Sequence, residues 1–409
     1  MNTEERFLKN MSYREYKSPK RLEEERKEKR RHKKNNSDTI LSAPDKSLFI
    51  IVMFLVFIGF LAIFSATAPK CMREGANLAT FLVKQMVYAG VGFFAMGFFA
   101  KFDYKKLEKY NSKFMWTVIV LLVILQFTPL GVVINGAKRW INLGFMQLQP
   151  SELAKPLFCM LLATAFKNKV DLSDLKHWTS CFIPMLVILL LILKQPNLSM
   201  AIILSVTSLG LYIAARGPWQ VIAAGGGVLG LGILTMLPKL LHGYQMDRIT
   251  IWLNPGSDAQ GKGYNIIQSL IAFASGGVLG TGYGGSIQKL AYIPECHTDF
   301  IFAIIAEEFG FLGCLFIICL FIALVLRGIR IAKRCPDMYG KLLALGITII
   351  FGFQAFLNMS VASSFMPVTG VTLPFISYGG TSIIVSLAMV GILLNISKQR
   401  IKRIRTENA

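Results

Sequence analysis

The chain has 409 residues, 54% of them hydrophobic and only 16% charged, with a formal net charge of +21. Soluble domains carry about 25% charged residues, so this composition excludes an ordinary soluble enzyme, a disulfide scaffold and a disordered protein. It points to a polytopic membrane protein with a charged tail.

Residues 1–46 form that tail, with 14 basic and 9 acidic residues. Its stretch Arg21–Lys34 mixes both signs and reads as a solvated segment, either touching anionic headgroups or without a role. The remaining positive excess sits in short segments between apolar runs, where the positive-inside rule places it, so no nucleic-acid partner is expected.

A spanning helix needs about 20 mostly apolar residues. Ten stretches read as spans: 48–68, 80–100, 114–133, 150–166, 179–194, 197–215, 219–237, 299–326, 341–360 and 375–396. The expected fold is an all-α integral membrane domain over residues 47–397, with a long extracytoplasmic loop, 238–298, between the seventh and eighth spans. A basic C-terminal tail, 398–409, follows. Lys101–Lys113 carries five Lys against Asp103 and Glu108, and Arg327–Lys341 carries five cations against Asp337. The long loop is nearly balanced, with Lys239, Arg248, Lys262 and Lys289 against Asp247, Asp258 and Glu295. Both termini are therefore expected to be cytoplasmic and the long loop outside.

The long loop is rich in glycine, and its Ile266–Ala274 stretch is apolar enough for a short helix at the interface or re-entering it. Gly280–Gly285 resembles a phosphate loop only superficially, because no strand precedes it and no Lys-Ser/Thr follows. Gly225–Gly232 suits close packing within the seventh span. Most of the seven cysteines fall in apolar runs, where Cys acts as a small hydrophobe. Cys71 and Cys296 both read as outward-facing, which leaves a disulfide between them open.

Ionisable residues within or at the edge of a membrane are functional candidates by default. Four clusters qualify. In Asn135–Ile141, Lys138 and Arg139 stand beside Trp140, a set that suits a phosphate at headgroup level or plain snorkelling. In Gln149–Lys155, Glu152 and Lys155 share a helix face at i,i+3 and should pair inside the bundle, either fixing two helices or positioning a substrate or a neighbouring acid. In Pro294–Glu308, His297 and Asp299 sit where a loop enters the eighth span, with Glu307 and Glu308 two turns deeper. Asp299 suits either a helix cap or an acid–base group at the outer leaflet. In Pro367–Ser382, two prolines and three glycines break an apolar segment that also offers Ser377, Tyr378, Thr381 and Ser382, so it should line a cavity.

Together these motifs resemble the SEDS family (shape, elongation, division and sporulation), through Asn135–Ile141, Gln149–Lys155, Pro294–Asp299 with Glu307-Glu308-Phe309-Gly310, and Leu373–Ser382. The resemblance runs from about residue 47 to the end. It implies a peptidoglycan glycosyltransferase of the bacterial cytoplasmic membrane. Such an enzyme polymerises lipid II, an undecaprenyl-pyrophosphate-linked disaccharide peptide, at the outer face. It works beside a class B penicillin-binding protein that cross-links the strands, and with other division or elongation proteins. Leu373–Gly380 followed by Gly391–Ser397 favours the division-type branch, active at the septum, over elongation or sporulation roles. A lipid II flippase and a non-catalytic scaffold are the alternatives. By the same resemblance Asp299 is the essential acid and general base. Lys138 and Arg139 would face the leaving pyrophosphate, with a divalent cation (Mg2+ or Mn2+) an open candidate beside them and no organic cofactor expected. His297 would orient, Trp140, Ser377 and Tyr378 would bind substrate, and Glu152, Lys155, Glu307 and Glu308 would support. One departure is Gln195-Pro-Asn-Leu-Ser199, where many members carry Gln-Pro-Asp-Leu-Gly; Asn197 lacks the acid but can keep a hydrogen-bonding role.

Overall fold

The computed structural model describes residues 39–134, 137–144, 146–167, 175–195, 197–218, 220, 244–261, 263–290, 292–294 and 296–401. The tail up to residue 38, the expected seventh span with Gly225–Gly232, and Asn135, Lys239, Lys262, Glu295 and the chain after Ile401 lie outside those residues.

Eleven α-helices are described: α1 (Lys46–Arg73), α2 (Thr80–Lys101), α3 (Tyr104–Phe127), α4 (Pro150–Phe166), α5 (Leu175–Lys194), α6 (Leu198–Ala214), α7 (Tyr244–Leu253), α8 (Tyr264–Gly276), α9 (Ile301–Arg334), α10 (Met338–Ala362) and α11 (Gly380–Ser397). Five short strands join them: β1 (Thr39–Leu41), β2 (Gly131–Ile134), β3 (Ala137–Asn142), β4 (Gln147–Leu148) and β5 (Gln399–Ile401). By length and composition α1, α2, α3, α9, α10 and α11 can each cross a membrane, while α6 and Phe182–Lys194 of α5 are shorter apolar helices. Ten full-length spans are therefore not what the described residues present.

Helices α10 and α11 are central. In their most apolar stretches 67% and 78% of residues are buried, against 22% in α2 and in α3, whose outward faces leave Phe94, Phe98 and Trp116 exposed. Helix α2 packs closely on α11, where Gly92 lies against Leu387 and Gly391 against the Met96 backbone.

The all-α expectation needs one correction. The sequence predicts the third span at 114–133, but α3 starts at Tyr104 and stops at Phe127. Asp103 caps its start by accepting from Lys105 N (3.0 Å). Tyr104, Leu107 and Asn111 fall on one buried face, so the lysine-rich segment is the helix's first turns and not a loop. Residues after Phe127 form an antiparallel sheet, β2-β3-β4, with an irregularity between Val132 and Val133.

Two features set the geometry of the bundle's ends. Strand β1 pairs antiparallel with β5, Thr39 opposite Ile401, so the start of α1 and the end of α11 meet at one end. At the other end the long loop folds back on α9. There α9 is interrupted at Gly310 (φ 63, ψ −162), a conformation that L side chains rarely adopt. A Cβ at Gly310 would also collide with Gly280 N and Val278 O. The backbone groups freed by the break are not left bare, as an apolar environment requires. Thr281 N and Gly282 N donate to Glu307 O and Glu308 O (2.9 and 3.0 Å), and Phe311 N donates to Gly277 O (2.9 Å). The glycine string at 280–285 thus serves close backbone approach to α9. Cys71 and Cys296 are buried free thiols, with no disulfide between them.

Candidate functional site

A cleft of about 700 Å3 opens at the end of the bundle opposite the β1–β5 pair. It is bounded by the end of α1, the start of α2, the β2–β4 sheet, the α10–α11 connection and the start of α11. Asp299 lines it, and among its described lining residues Asp299 is the one carboxylate, facing Lys70, Lys84, Arg139 and Arg248.

The chain around Asp299 is held by its backbone. Three consecutive carbonyls are each bonded: His297 O accepts from Tyr378 N (2.9 Å), Thr298 O from Ser377 Oγ (2.6 Å) and Asp299 O from Asn358 Nδ2 (2.9 Å). Asn358 also donates to Val371 O (2.6 Å), which ties the same point to the α10–α11 connection. The next turn brings Arg139 alongside. A Cβ at Gly370, whose φ is +66, would stand 3.4 Å from Asp299 Oδ2 and 3.8 Å from Arg139 Nη1. Gly370 therefore lets the acid and the guanidinium flank one turn. Arg139 Nε donates to Gln195 O (3.3 Å), at the break between α5 and α6. Across that break Asn197 caps α6, its Oδ1 accepting from Met200 N (3.3 Å) while its Nδ2 donates to Ser151 Oγ (3.4 Å). Amide chemistry suffices for both contacts.

His297 and Tyr378 also line the cleft, and with Phe81 they form an aromatic cluster with ring centroids 5.3–5.7 Å apart. Burial, and secondarily the neighbouring Tyr88, pushes the Tyr378 hydroxyl up to about 12, so it remains a proton donor at neutral pH. Trp140 lines the cleft as well.

Other predicted site residues lie elsewhere. Lys138 does not face the cleft; its Nζ donates to Thr128 O (2.6 Å). Arg139 is the extra residue of a bulge in β3, between Lys138 and Trp140, which pair with the consecutive Val133 and Val132; it lines the cleft while Lys138 does not, so the two do not form a joint clamp. Ser377 is buried and not among the cleft's lining residues; its Oγ accepts from Leu373 N (2.8 Å) and donates to Thr298 O (2.6 Å). Glu307 accepts from Ser286 Oγ and from Ile287 N (2.9 Å), and Glu308 pairs with Lys289 (2.8 Å) and accepts from Ser65 Oγ (2.5 Å). Both acids fasten the long loop to α9 and α1. Glu152 and Lys155 form an ion pair of 2.5 Å with both side chains buried. Lys155 donates onward to Gln354 Oε1 (2.9 Å), and Gln354 Nε2 donates to Thr372 O (2.9 Å) at the cleft. The pair thus supports the cleft floor.

Sequence reasoning missed Arg248, Lys70 and Lys84 as site residues. Arg248 entered only as a loop charge, yet α7 docks on the α10–α11 connection, with Arg248 Nη1 donating to Val368 O (2.8 Å) and Trp252 Nε1 to Ser364 O (2.9 Å). Lys70 and Lys84 lie at the outer edges of the first two spans, which was the available signal. Among the described residues no three His, Cys, Asp or Glu side chains gather as metal ligands. Among the described lining residues, one carboxylate among four cations is a donor set that suits an anion and not a metal ion.

Known proteins share this sequence and architecture. The family described as "Cell cycle protein", which takes in FtsW, RodA and SpoVE, matches residues 45–402. A probable peptidoglycan glycosyltransferase FtsW of Trichlorobacter lovleyi is 37% identical over 87% of this chain and 94% of its own length. Stage V sporulation protein E of Bacillus subtilis is 37% identical over 87% and 98%. Among solved structures, a chain of a peptidoglycan synthase complex that coordinates polymerization and crosslinking superimposes with a TM-score of 0.72 at 30% identity, covering 87% of this chain and 98% of that one. Thermus thermophilus RodA gives 0.64 at 26% identity, covering 87% and 97%. The chain belongs to the FtsW, RodA and SpoVE family of membrane cell cycle proteins.

Proposed function

We propose that this chain is a division-type peptidoglycan glycosyltransferase that polymerises lipid II at the outer face of the bacterial cytoplasmic membrane. The observation that carries the reading is Asp299 beside Arg139 in a cationic cleft, at the end of the bundle away from the paired terminal strands. The basic segments of the sequence cluster at the terminal end, which supports an outer position for the cleft.

The acceptor's GlcNAc O4–H gives its proton to the Asp299 carboxylate as O4 attacks C1 of the donor's MurNAc. The C1–O bond to the phosphate breaks, and undecaprenyl pyrophosphate departs with the electron pair. One displacement at C1 inverts its configuration. Arg139 stands where charge develops on the leaving group, and its hydrogen bond to Gln195 O fixes it before reaction. Arg248, fixed by Val368 O, adds a second guanidinium. The backbone bonds at 297–299 hold the acid in place, which is the positioning this chemistry needs.

A flippase needs a polar path between leaflets. Below the cleft, Glu152, Lys155 and Gln354 are buried and bonded to one another, which favours a closed floor. The names of the relatives support a division role at the septum, and the peptidoglycan synthase complex supports a partner transpeptidase of the class B penicillin-binding type. Purified chain incubated with lipid II tests the proposal. Glycan strands from the native chain and none from Asp299→Asn support it; lipid II translocation without polymer would replace it with the flippase reading.

A further inference from the structure

The cleft's four cations fall on two walls. Arg139 and Arg248 flank the 368–370 turn beside Asp299. Lys70 and Lys84 belong to another wall, at the end of α1 and the start of α2. Lys70 Nζ lies 5.2 Å from the centre of the Phe81 ring, whose other neighbours are His297 and Tyr378. The Phe81–His297–Tyr378 cluster therefore adjoins the lysine wall within the same cleft. Among the described residues neither lysine pairs with a carboxylate. Lys84 sits beside the outward face of α2, where Val83, Met86 and Val87 are exposed.

Resting on the proposed reaction, we infer that Lys70 and Lys84 form a second lipid-linked diphosphate subsite, which holds the acceptor while Arg139 and Arg248 hold the donor. Polymerisation joins two lipid-linked molecules, and only one of the two diphosphates departs. The two walls suit the two fates. Guanidiniums fixed on backbone carbonyls are preorganised for a diphosphate whose charge grows in the transition state. Flexible ammonium groups suit an anchor whose charge stays constant, and the exposed apolar stripe beside Lys84 can take the polyprenyl chain. Interactions equal in ground and transition states set KM, whereas those made only in the transition state set kcat.

The test uses full-length Asp299→Asn chain, which binds without turnover, titrated with lipid II fluorescently labelled on its peptide. Two binding phases are expected. Lys84→Gln, and more so Lys70→Gln/Lys84→Gln, should shift one phase by about tenfold or more and leave the other within about twofold. Arg139→Gln should shift the other phase, and Lys70→Arg/Lys84→Arg should restore both. Lys84 is exposed, so its single replacement guards against misfolding. With Asp299 restored, the lysine variants should raise the half-saturating lipid II concentration far more than they lower the maximal rate. Excess inorganic pyrophosphate should compete weakly at the lysine phase; competition as strong as that of lipid II would deny the lipid stripe its part. A single binding phase, or lysine variants that shift neither phase, would overturn the second subsite while leaving polymerisation by the native chain intact. A native chain that makes no polymer would remove the proposed reaction first.

Discussion

Asp299 and the pair Glu307–Glu308 enter the bundle within nine residues of one another, yet their surroundings are opposite. Asp299 lines a cleft, its backbone held by Tyr378, Ser377 and Asn358 while its carboxylate stands beside Gly370 and Arg139. Glu307 and Glu308 are at most 2% exposed, and their carboxylates are taken up by Ser286, Ile287, Lys289 and Ser65. A carboxylate whose hydrogen bonds are spent on the protein holds structure; one aimed at a cavity can move a proton. The helix break at Gly310 belongs with the structural acids, because the loop that Glu307 and Glu308 clasp is the one that satisfies the broken backbone.

The largest expected effect tests that contrast directly. Asp299→Asn should lower lipid II polymerisation by about 10²–10⁴-fold, with abundance and melting temperature close to native. Glu307→Gln or Glu308→Gln should do the reverse, lowering melting temperature and yield while molecules that fold keep polymerising. Full activity in pure Asp299→Asn protein would leave Asp299 as a structural residue and end the contrast.

The Lys289–Glu308 pair sharpens the closed side. Removing one partner of a buried pair strands a charge, at about 3–5 kcal/mol. Lys289→Met alone should therefore destabilise strongly, and Lys289→Met/Glu308→Gln should recover much of the loss. Equal melting temperatures for single and double variants would show that the pair is not coupled.

Much of this was legible in the sequence, and the illegible part has a physical cause. Helices α1, α2 and α10 follow their apolar runs closely, because a helix long enough to cross a membrane needs a continuous apolar run whether it faces lipid or protein. Glu152–Lys155 followed from i,i+3 spacing, a local rule. The β2–β4 sheet did not, since four apolar residues, Gly131–Ile134, extend a helix or make a strand equally well. The partners of Glu307 and Glu308 lie 19–243 residues away, at Ser286, Lys289 and Ser65. No periodicity encodes such contacts, so the acids read as part of the cleft's lip. Arg248, Lys70 and Lys84 were visible as charges but not as one site, because only folding brings α7, α1 and α2 to one cleft.

Ser377 is intermediate between the two regions, being buried itself but bonded to the carbonyl next to Asp299. Ser377→Ala removes two hydrogen bonds without a large cavity. A misplacement of about 1 Å costs on the order of 10² in rate, so a partial shift should lower kcat by about tenfold while KM changes little. A fall in KM-linked binding with kcat intact would return Ser377 to the substrate-contacting role expected from sequence.

The smallest effect concerns two neighbouring cations that repeat the contrast of the acids. Lys138 ends on Thr128 O, at the end of α3, whereas Arg139 reaches Gln195 O and the turn beside Asp299. Arg139 is the bulged residue of β3 and lines the cleft, which Lys138 does not. Lys138→Gln should cost stability alone, about 1 kcal/mol for one lost hydrogen bond, with polymerisation within about twofold of native. Arg139→Lys keeps the charge but loses the planar fork and the Nε contact, so kcat should fall at least tenfold. The two variants therefore separate charge from placement. If Lys138→Gln slows polymerisation as much as Arg139→Lys does, the hairpin contributes a diffuse positive field, and the orientation of each side chain matters less than the sum of their charges.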